Sequence, residues 1–247
     1  MNITKSILII IASTLILVGC KTKNVDENII TPATELYSSG LKALDEKNYK
    51  NAATEFEKVF FQHPGNHITP YAEIMQAYSL YKSNEYEEAI DVLDIFIKLH
   101  PRHTDIAYAY YLKALSYYVQ ISEVKLDQSR TENSLNSLEE VIRRFPSTKY
   151  AIDARLKIDL VNDHLAGKEM FVGRYYLNKR NPIAAIKRFQ IVVEKFDTTS
   201  HTPEALLRLV ECNLMLGLVE EAKKYAAVLK HNYPDNNWNN YSINLLK

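Results

Sequence analysis

The residues of this sequence that most suggest a metal site are two pairs of histidines. His63 and His67 are four positions apart and His100 and His103 are three apart, spacings that can place two imidazoles on one helical face. In each pair, however, a proline directly follows the first histidine, and a proline ends a helix. The two imidazoles of a pair therefore do not share a helical face, and no metal ion is predicted.

No motif of a catalytic nucleophile or of a phosphate-binding loop is present. The sequence lacks G-x-S-x-G, H-E-x-x-H and G-x-x-x-x-G-K-[ST] arrangements. The acidic pairs Glu87/Glu88 and Glu220/Glu221 stand at predicted helix starts, where the helix dipole favours carboxylates. With 30 basic and 30 acidic side chains the chain also lacks the basic excess of a nucleic-acid-binding protein. We therefore expect neither an enzyme nor a nucleic-acid-binding protein, and no cofactor.

Cys20 carries the most specific chemical signature. It follows a positively charged start and an apolar run from Ile7 to Val18, which is too short to span a membrane and suits the core of a signal peptide. The segment ends in Leu17-Val18-Gly19-Cys20, which resembles the bacterial lipoprotein box. The resemblance implies that Cys20 becomes the first mature residue and carries a diacylglycerol and an N-acyl chain as a membrane anchor. The alternative is a plain secretory signal with a chance cysteine.

The chain divides into an anchor region and a folded region. Residues 1–19 are assigned to the signal peptide, and residues 20–32 to the lipidated cysteine and a polar, flexible tether. Residues 33–247 form the predicted folded domain. In enterobacterial lipoproteins an aspartate directly after the cysteine tends to retain the protein in the inner membrane, so the resemblance to the lipoprotein box, with Lys21 at this position, implies sorting to the outer membrane. Cys212 lies in an apolar helical stretch and is expected to be a buried, inert thiol.

An internal repeat runs through the folded region. The segment NYKNAATEFEKVFFQHP aligns with EYEEAIDVLDIFIKLHP, so that Ala52 matches Ala89 at an offset of 37 positions. Further copies place Ala185 and Ala222 at this site, and a weaker copy places Ser134 there. No proline interrupts a helical pattern. We predict an all-α fold, an α-solenoid of about five helix pairs. The expected repeats are residues 33–65, 70–102, 104–147, 148–198 and 202–234, followed by a capping segment at 235–247.

The repeat resembles the tetratricopeptide repeat, which combines a glycine, an alanine, an aromatic residue and a final proline. Repeat one supplies Gly40, Ala52 and Phe56, and repeat four supplies Gly173 and Phe189. The resemblance implies that small residues lie where the two helices of a pair approach closely and that the aromatic ring fills the adjoining groove. No such pair buries its apolar face alone, so neighbouring pairs must stack.

Repeats three and four are longer than the others. The excess of repeat three is assigned to a loop at residues 121–130. That of repeat four is assigned to a long first helix, from about Lys149 towards Asn178.

The mature chain as a whole resembles the BamD family, the lipoproteins of the outer-membrane β-barrel assembly machinery. A lipoprotein box, a short tether and about five repeats occur in this order, and residues 71–103, 106–118 and 145–199 carry local similarity. The resemblance implies a non-catalytic periplasmic scaffold that helps recognise and insert barrel proteins. It also implies three kinds of partner: the POTRA domains of a BamA-like barrel subunit, unfolded outer-membrane proteins and, in some relatives, accessory lipoproteins. The alternative is another tetratricopeptide-repeat lipoprotein, an adaptor for a protease or for cell-wall enzymes.

The resemblance also suggests where these partners bind. Arg188 occupies what looks like the family's partner-facing position in the second helix of repeat four, and neighbouring Lys187 is expected to share its role. A peptide groove is expected on the first helices of repeats two and three, which line the concave surface in this repeat type. Its candidate residues are Tyr71, Tyr78, Tyr81, Tyr108, Tyr111 and Tyr118. Tyrosine combines apolar area and a hydrogen bond with a low entropy cost; the alternative is that these rings pack between helices.

Overall fold

The computed structural model describes residues 30–247, and in this range every regular element is a helix. The signal peptide, Cys20 and most of the tether lie outside the described residues. The helices of residues 30–247 are α1 (Ala33–Asp45), α2 (Tyr49–Gln62), α3 (Thr69–Lys82), α4 (Tyr86–Leu99), α5 (Ile106–Tyr118), α6 (Ser129–Arg144), α7 (Lys149–Asn178), α8 (Pro182–Lys195), α9 (Thr202–Met215), α10 (Val219–Asn232) and α11 (Asn237–Leu245).

The first ten helices form five successive pairs, and each helix packs against the one before it and the one after it. Stacking of this kind buries the apolar face of every pair against its neighbours. The core is accordingly a series of adjoining clusters along the array, each shared by consecutive helices. The predicted all-α solenoid of helix pairs is confirmed.

Small residues and an aromatic ring hold the two helices of a pair together. A Cβ atom placed on Gly40 in α1 would lie 2.6 Å from Cε1 of Phe56 in α2, and one placed on Gly173 in α7 would collide in the same way with Phe189 in α8. The aligned small residues are all fully buried, at 0% exposure: Ala52, Ala89, Ser134, Ala185 and Ala222. The absence of a side chain at the two glycines therefore lets each helix pack directly onto the ring.

Four of the five pairs share one turn between their helices. The residue in the left-handed region is Lys47 in repeat one (φ 57°), Asn84 in repeat two (φ 65°), Arg180 in repeat four (φ 54°) and Gly217 in repeat five (φ 73°). Only one of these is glycine, so three turns hold a side chain in a conformation that costs free energy. A backbone hydrogen bond closes each turn, as from the Asn48 amide to the Ala43 carbonyl at 2.8 Å and from the Glu85 amide to the Leu80 carbonyl at 2.9 Å.

Repeats three and four obtain their extra length in different ways. In repeat three the connection between α5 and α6 spans residues 119–128, not the expected 121–130, because Ser129 already begins α6. The Ser129 amide donates to Oδ1 of Asp127 at 2.9 Å, which favours a helix start at this point. In repeat four the first helix is longer, and α7 runs from Lys149 to Asn178 as predicted.

The last helix covers the end of the array. α11 packs on both helices of repeat five, with Trp238 beside the cluster of Leu206, Leu207 and Leu229. Solenoid ends need such a cover, because the last pair has no following repeat against which to bury its face. Within residues 30–247, none of these helices combines the length and the hydropathy that crossing a bilayer requires.

Candidate protein-binding surfaces

The solenoid has an inner face, formed by the first helices of repeats one to four: α1, α3, α5 and α7. These helices contact one another from repeat to repeat and approach more closely than the second helices do. Closer spacing on one side curves the array towards that side, and concave surfaces of this kind are the usual binding surfaces of solenoid proteins.

The six tyrosines of the predicted groove divide into one exposed ring and five half-buried ones. Tyr71, at the start of α3, is 45% exposed. Tyr78, Tyr81 and Tyr108 lie beside the cluster shared by repeats two and three, and Tyr111 and Tyr118 lie beside the cluster shared by repeats three and four. The five half-buried rings thus pack between helices, which was the alternative to a peptide groove, and each keeps part of its surface accessible.

Several of these phenols lie close together on the inner face. Burial raises the pKa of Tyr108 well above the usual range, and the neighbouring phenols of Tyr78, Tyr150 and Tyr81 raise it further. Burial also raises the pKa of Tyr111, and a hydrogen bond to Asp153 adds to the shift. These hydroxyls therefore stay protonated at neutral pH and form a row of uncharged donors and acceptors.

Asp153 links this row to repeat four. Its Oδ2 accepts a hydrogen bond from the Tyr111 hydroxyl and lies 2.7 Å from Nζ of Lys157, whose ammonium is 5.6 Å from the centre of the Tyr118 ring. Burial works against ionisation of Asp153, but the hydrogen bonds from Lys157 and Tyr111 outweigh it and lower the pKa of the carboxyl. The polar row thus continues from α5 onto α7 around a charged carboxylate.

Sequence analysis missed two aromatic members of this surface. The ring centre of Tyr150 in α7 lies 5.6 Å from that of Tyr108 and 5.1 Å from that of Tyr111. Burial raises the pKa of Tyr37 in α1, and the nearby phenol of Tyr71 raises it further. Both residues belong to other repeats than the predicted tyrosines, and the stacking of adjacent repeats brings them together. We call the eight tyrosines the tyrosine surface: Tyr37, Tyr71, Tyr78, Tyr81, Tyr108, Tyr111, Tyr118 and Tyr150.

An exposed aliphatic row adjoins the tyrosine surface on α7. Ile152, Leu156 and Leu160 are 61%, 65% and 62% exposed, and their four-residue spacing places them in one line along the helix. Ile152 and Leu156 directly precede Asp153 and Lys157 in the chain, so the row follows the polar groups along α7. The sequence could have indicated this row, because α7 has more apolar positions than one buried stripe requires. Ala151, Ala154 and Val161 belong to the buried stripe, and the aliphatic row is additional to it.

Arg188 and Lys187 lie side by side on α8, in different surroundings. The Arg188 side chain is 41% exposed, and its Nη1 donates to Oε2 of Glu169 in α7 at 3.1 Å. Lys187 is exposed and makes no ion pair within residues 30–247. The two cations are therefore adjacent in sequence, but only the guanidinium is held in place by the fold.

A second Arg–Glu network, which sequence analysis did not identify, joins repeat four to repeat five. Arg174 in α7 donates from Nη1 to Oε2 of Glu204 in α9 at 3.0 Å, and Arg208 donates from Nε to the other oxygen of Glu204 at 3.2 Å. Arg208 also donates to Oε2 of Glu211 at 2.8 Å, and its guanidinium lies 5.7 Å from the centre of the Trp238 ring. Repeats four and five are thus joined by a network of two arginines and two glutamates.

The remaining candidates for chemistry lie apart from these surfaces. No group of three or more histidine, cysteine, aspartate or glutamate side chains within residues 30–247 is arranged to hold a metal ion. Cys212 is fully buried, as predicted, and burial raises the pKa of its thiol to about 12. Glu87/Glu88 and Glu220/Glu221 occupy the first turns of α4 and α10, as expected.

Known proteins resemble this chain both in sequence and in fold. A protein of Rickettsia prowazekii (strain Madrid E) named outer membrane protein assembly factor BamD is 58% identical over 247 residues, covering 100% of this chain and 98% of the relative. A Caulobacter vibrioides protein of the same name is 47% identical over 223 residues, or 89% of this chain and 73% of the relative. A solved tetratricopeptide-repeat protein from Bacteroides fragilis has a TM-score of 0.51 at 15% identity, covering 87% of this chain and 98% of its own, a likeness of fold alone.

The sequence profile of the family described as YfiO, outer membrane lipoprotein, matches residues 30–229. That range takes in all five helix pairs except the last residues of α10. The chain therefore belongs to the BamD family of outer membrane lipoproteins.

Proposed function

We propose that this protein is a non-catalytic scaffold on the periplasmic side of the outer membrane, where it helps recognise and insert β-barrel proteins. The observation that carries the proposal is the full-length similarity to relatives named as outer membrane protein assembly factors. The chemistry of the inner face agrees with it, because phenols, one carboxylate and exposed aliphatic side chains suit the binding of a polypeptide. No catalytic residue is assigned.

In this proposal the anchor is the lipid on Cys20, and the tether places the solenoid near the membrane. An extended chain spans at most about 3.5 Å per residue, so residues 20–32 reach roughly 45 Å. The repeats would then work within that distance of the membrane surface.

The tyrosine surface and the aliphatic row would receive segments of unfolded barrel proteins. Aromatic side chains of an incoming segment can pack on the half-buried tyrosine rings, and its backbone groups can hydrogen-bond with the phenols. Ile152, Leu156 and Leu160 would cover apolar side chains of the same segment. These contacts do not select a particular amino-acid sequence, which suits a site that binds many substrates.

Replacing Leu156 with asparagine tests this surface. A labelled peptide with the aromatic-rich C-terminal sequence of a barrel protein should bind Leu156→Asn about tenfold more weakly, because burying a leucine side chain contributes at least about 1.5 kcal/mol. Fluorescence anisotropy measures the affinity. Ile183→Asn is the matched control, since Ile183 is 61% exposed but lies on α8, away from the inner face. Equal weakening by both variants would contradict the assignment of the groove.

Arg188, with Lys187, would bind the POTRA domains of a BamA-like barrel subunit. Glu169 engages only one end of the guanidinium of Arg188 and so orients it. A guanidinium has five N–H donors in a planar fork, which leaves donors for a carboxylate on the partner. Lys187 offers a second positive charge beside it.

Affinity purification of the tagged, lipidated protein from its own envelope tests both the partner and the residue. Wild type should recover a large outer-membrane barrel protein with POTRA domains, and Arg188→Glu should recover much less of it. The swap Glu169→Arg/Arg188→Glu restores the internal pair but not the charge at position 188, so it should stay defective. Arg143→Glu on α6, where the side chain is 71% exposed, is the control.

Two results would contradict these assignments. Recovery restored by the swap would give Arg188 only an internal structural role. Recovery of a protease or of cell-wall enzymes without a barrel protein would favour the adaptor function over the assembly function.

A further inference from the structure

A groove on the outer side of the solenoid, between the second helices of repeats one and two, contains buried polar groups that the proposed function does not use. We call it the outer groove. One end is a cavity of about 100 Å³, whose lining residues are Glu57, Phe60, Phe61, Glu73, Gln76, Val92 and Ile95. It continues into a wider part of about 450 Å³ that shares Glu57, Gln76 and Val92. The walls are α2 and α4, and the floor is α3.

Two polar side chains on the floor are more than nine-tenths buried, and one of them, Glu73, has a carboxylate oxygen without a hydrogen-bond partner. Glu73 is 3% exposed; its Oε2 lies 3.2 Å from Nε2 of His100, but neither atom has a partner in hydrogen-bonding geometry. Gln76, which is 8% exposed, lines the same cavity. Leaving a buried carboxylate oxygen unpaired costs free energy, so a ligand that pairs this oxygen of Glu73 gains that free energy on binding.

The charge of the outer groove is predominantly negative. Five carboxylates line its two parts: Glu57, Glu73, Glu85, Glu88 and Asp91. Among the described residues 30–247, the lining includes one cation, Lys50, which is 2.8 Å from Glu85 and therefore neutralises one carboxylate. Burial raises the pKa of Glu73, an effect that His100 only partly offsets. An incoming cation would favour the ionised form of this carboxyl.

The walls of the narrow end are apolar and partly uncovered. Phe61 is 70% exposed and Ile95 is 48% exposed, and Phe60 packs edge-on against Phe61 with ring centres 5.4 Å apart. An arginine or lysine side chain matches this combination, because its stem lies along apolar surface while its charged head seeks a carboxylate. Aromatic rings add an attraction for the cation.

We propose that the outer groove is a second docking site, which binds an arginine- or lysine-containing apolar segment of a partner protein. One basic side chain enters between Phe61 and Ile95 and pairs with Glu73, and Gln76 donates or accepts beside it. The acidic residues of the wider part hold further basic residues of the segment. This site lies on the opposite side of α3 from the tyrosine surface, so both can be occupied together.

The test measures binding of a short fluorescein-labelled peptide of alternating leucine and arginine to the purified full-length protein in neutral detergent. The wild type should bind it, and Glu73→Gln should raise the dissociation constant at least tenfold. Phe61→Ser should weaken binding as well; its exposed ring contributes little to folding, so loss of binding by this variant cannot be attributed to unfolding. Glu139→Gln, in the groove between α6 and α8, is the matched control and should bind as wild type does.

Three outcomes would overturn the proposal. Glu73→Gln could bind the peptide as wild type does, or a peptide with serine in place of arginine could bind equally well. Finally, the peptide could bind only a variant in which residues 21–29 are replaced by glycine and serine. The occupant of the groove in the wild type would then be the chain's own tether and not a partner. No barrel protein takes part in this assay, so its result does not depend on the proposed assembly function.

Discussion

Repeats one and four are built on the same internal contact but present different chemistry at their surfaces. In repeat one Gly40 packs on Phe56, and in repeat four Gly173 packs on Phe189, each beside a fully buried alanine. From repeat one onwards, the inner face carries tyrosine side chains whose hydroxyls stay protonated and uncharged. The phenols reach repeat four at Tyr150, but repeats four and five also carry arginine–glutamate networks, with Arg188 held by Glu169 and Arg174 by Glu204.

The comparison separates the residues that make the fold from those that make the surface. The buried glycine, alanine and aromatic positions have to repeat, because every pair must stack on the next with the same geometry. The exposed positions have no such constraint and differ from one half of the array to the other. One scaffold can therefore carry a tyrosine-rich inner face over repeats one to four and arginine–glutamate networks in repeats four and five.

The largest expected effect comes from removing the two aromatic rings. Phe56→Ala and Phe189→Ala should each cost about 3–5 kcal/mol locally. The single tryptophan, Trp238, lies in the C-terminal cap, so its fluorescence reports on the C-terminal repeats. We expect Phe189→Ala to shift the denaturant transition seen by Trp238, and Phe56→Ala to leave it nearly unchanged while circular dichroism detects early loss of helix.

This pair of variants can contradict the distinction between the N-terminal and C-terminal halves. If Phe56→Ala and Phe189→Ala shift the fluorescence transition of Trp238 equally, the solenoid unfolds as one unit. The N-terminal and C-terminal halves would then not be separable in stability, whatever the chemistry of their surfaces.

The next effect concerns the glycines that contact these rings. Gly40→Ala and Gly173→Ala should each destabilise the protein by about 1–3 kcal/mol, because the added methyl group overlaps a buried ring. Thermal unfolding followed by circular dichroism measures this. Gly65→Ala is the control, since no atom lies within 4 Å of the added carbon. A loss at Gly40 without one at Gly173 would show that the two repeats do not use the same contact.

The smallest expected effect sharpens the difference between the surfaces. Tyr111→Phe removes the hydrogen bond to Asp153 and should cost about 0.5–1.5 kcal/mol. The pKa values of Tyr108 and Tyr111 are higher in the folded protein than in the unfolded chain. The resulting contribution to the free energy of unfolding is complete at pH values below the ordinary tyrosine pKa of about 10. That stabilisation is lost as pH rises towards the folded-state values, because the unfolded chain releases these protons first. Denaturant titrations between neutral and alkaline pH should show a shallower loss for Tyr111→Phe than for wild type.

Local patterns in the sequence predicted the repeat contacts but not the relations between repeats. The spacing of Gly40, Ala52 and Phe56 depends on one helix pair, so it could be recognised along the chain. Tyr150 and Asp153 join the tyrosine surface from the next repeat, and their neighbours are 39 and 42 positions earlier, at Tyr111. Proximity across such separations depends on how the pairs stack, which no spacing rule describes.

By itself, the sequence determined that residues 33–234 form stacked helix pairs, because the 37-residue offset, the small residues and the prolines are local signals of helix packing. It also predicted the long α7 and the capping helix. Only the tertiary structure decided that five of six predicted tyrosines are partly packing residues, that Arg188 is already paired, and that Glu73 lies buried in an open groove. These facts arise from contacts between helices that are distant in sequence, where curvature and burial set exposure, charge pairing and the pKa of each group.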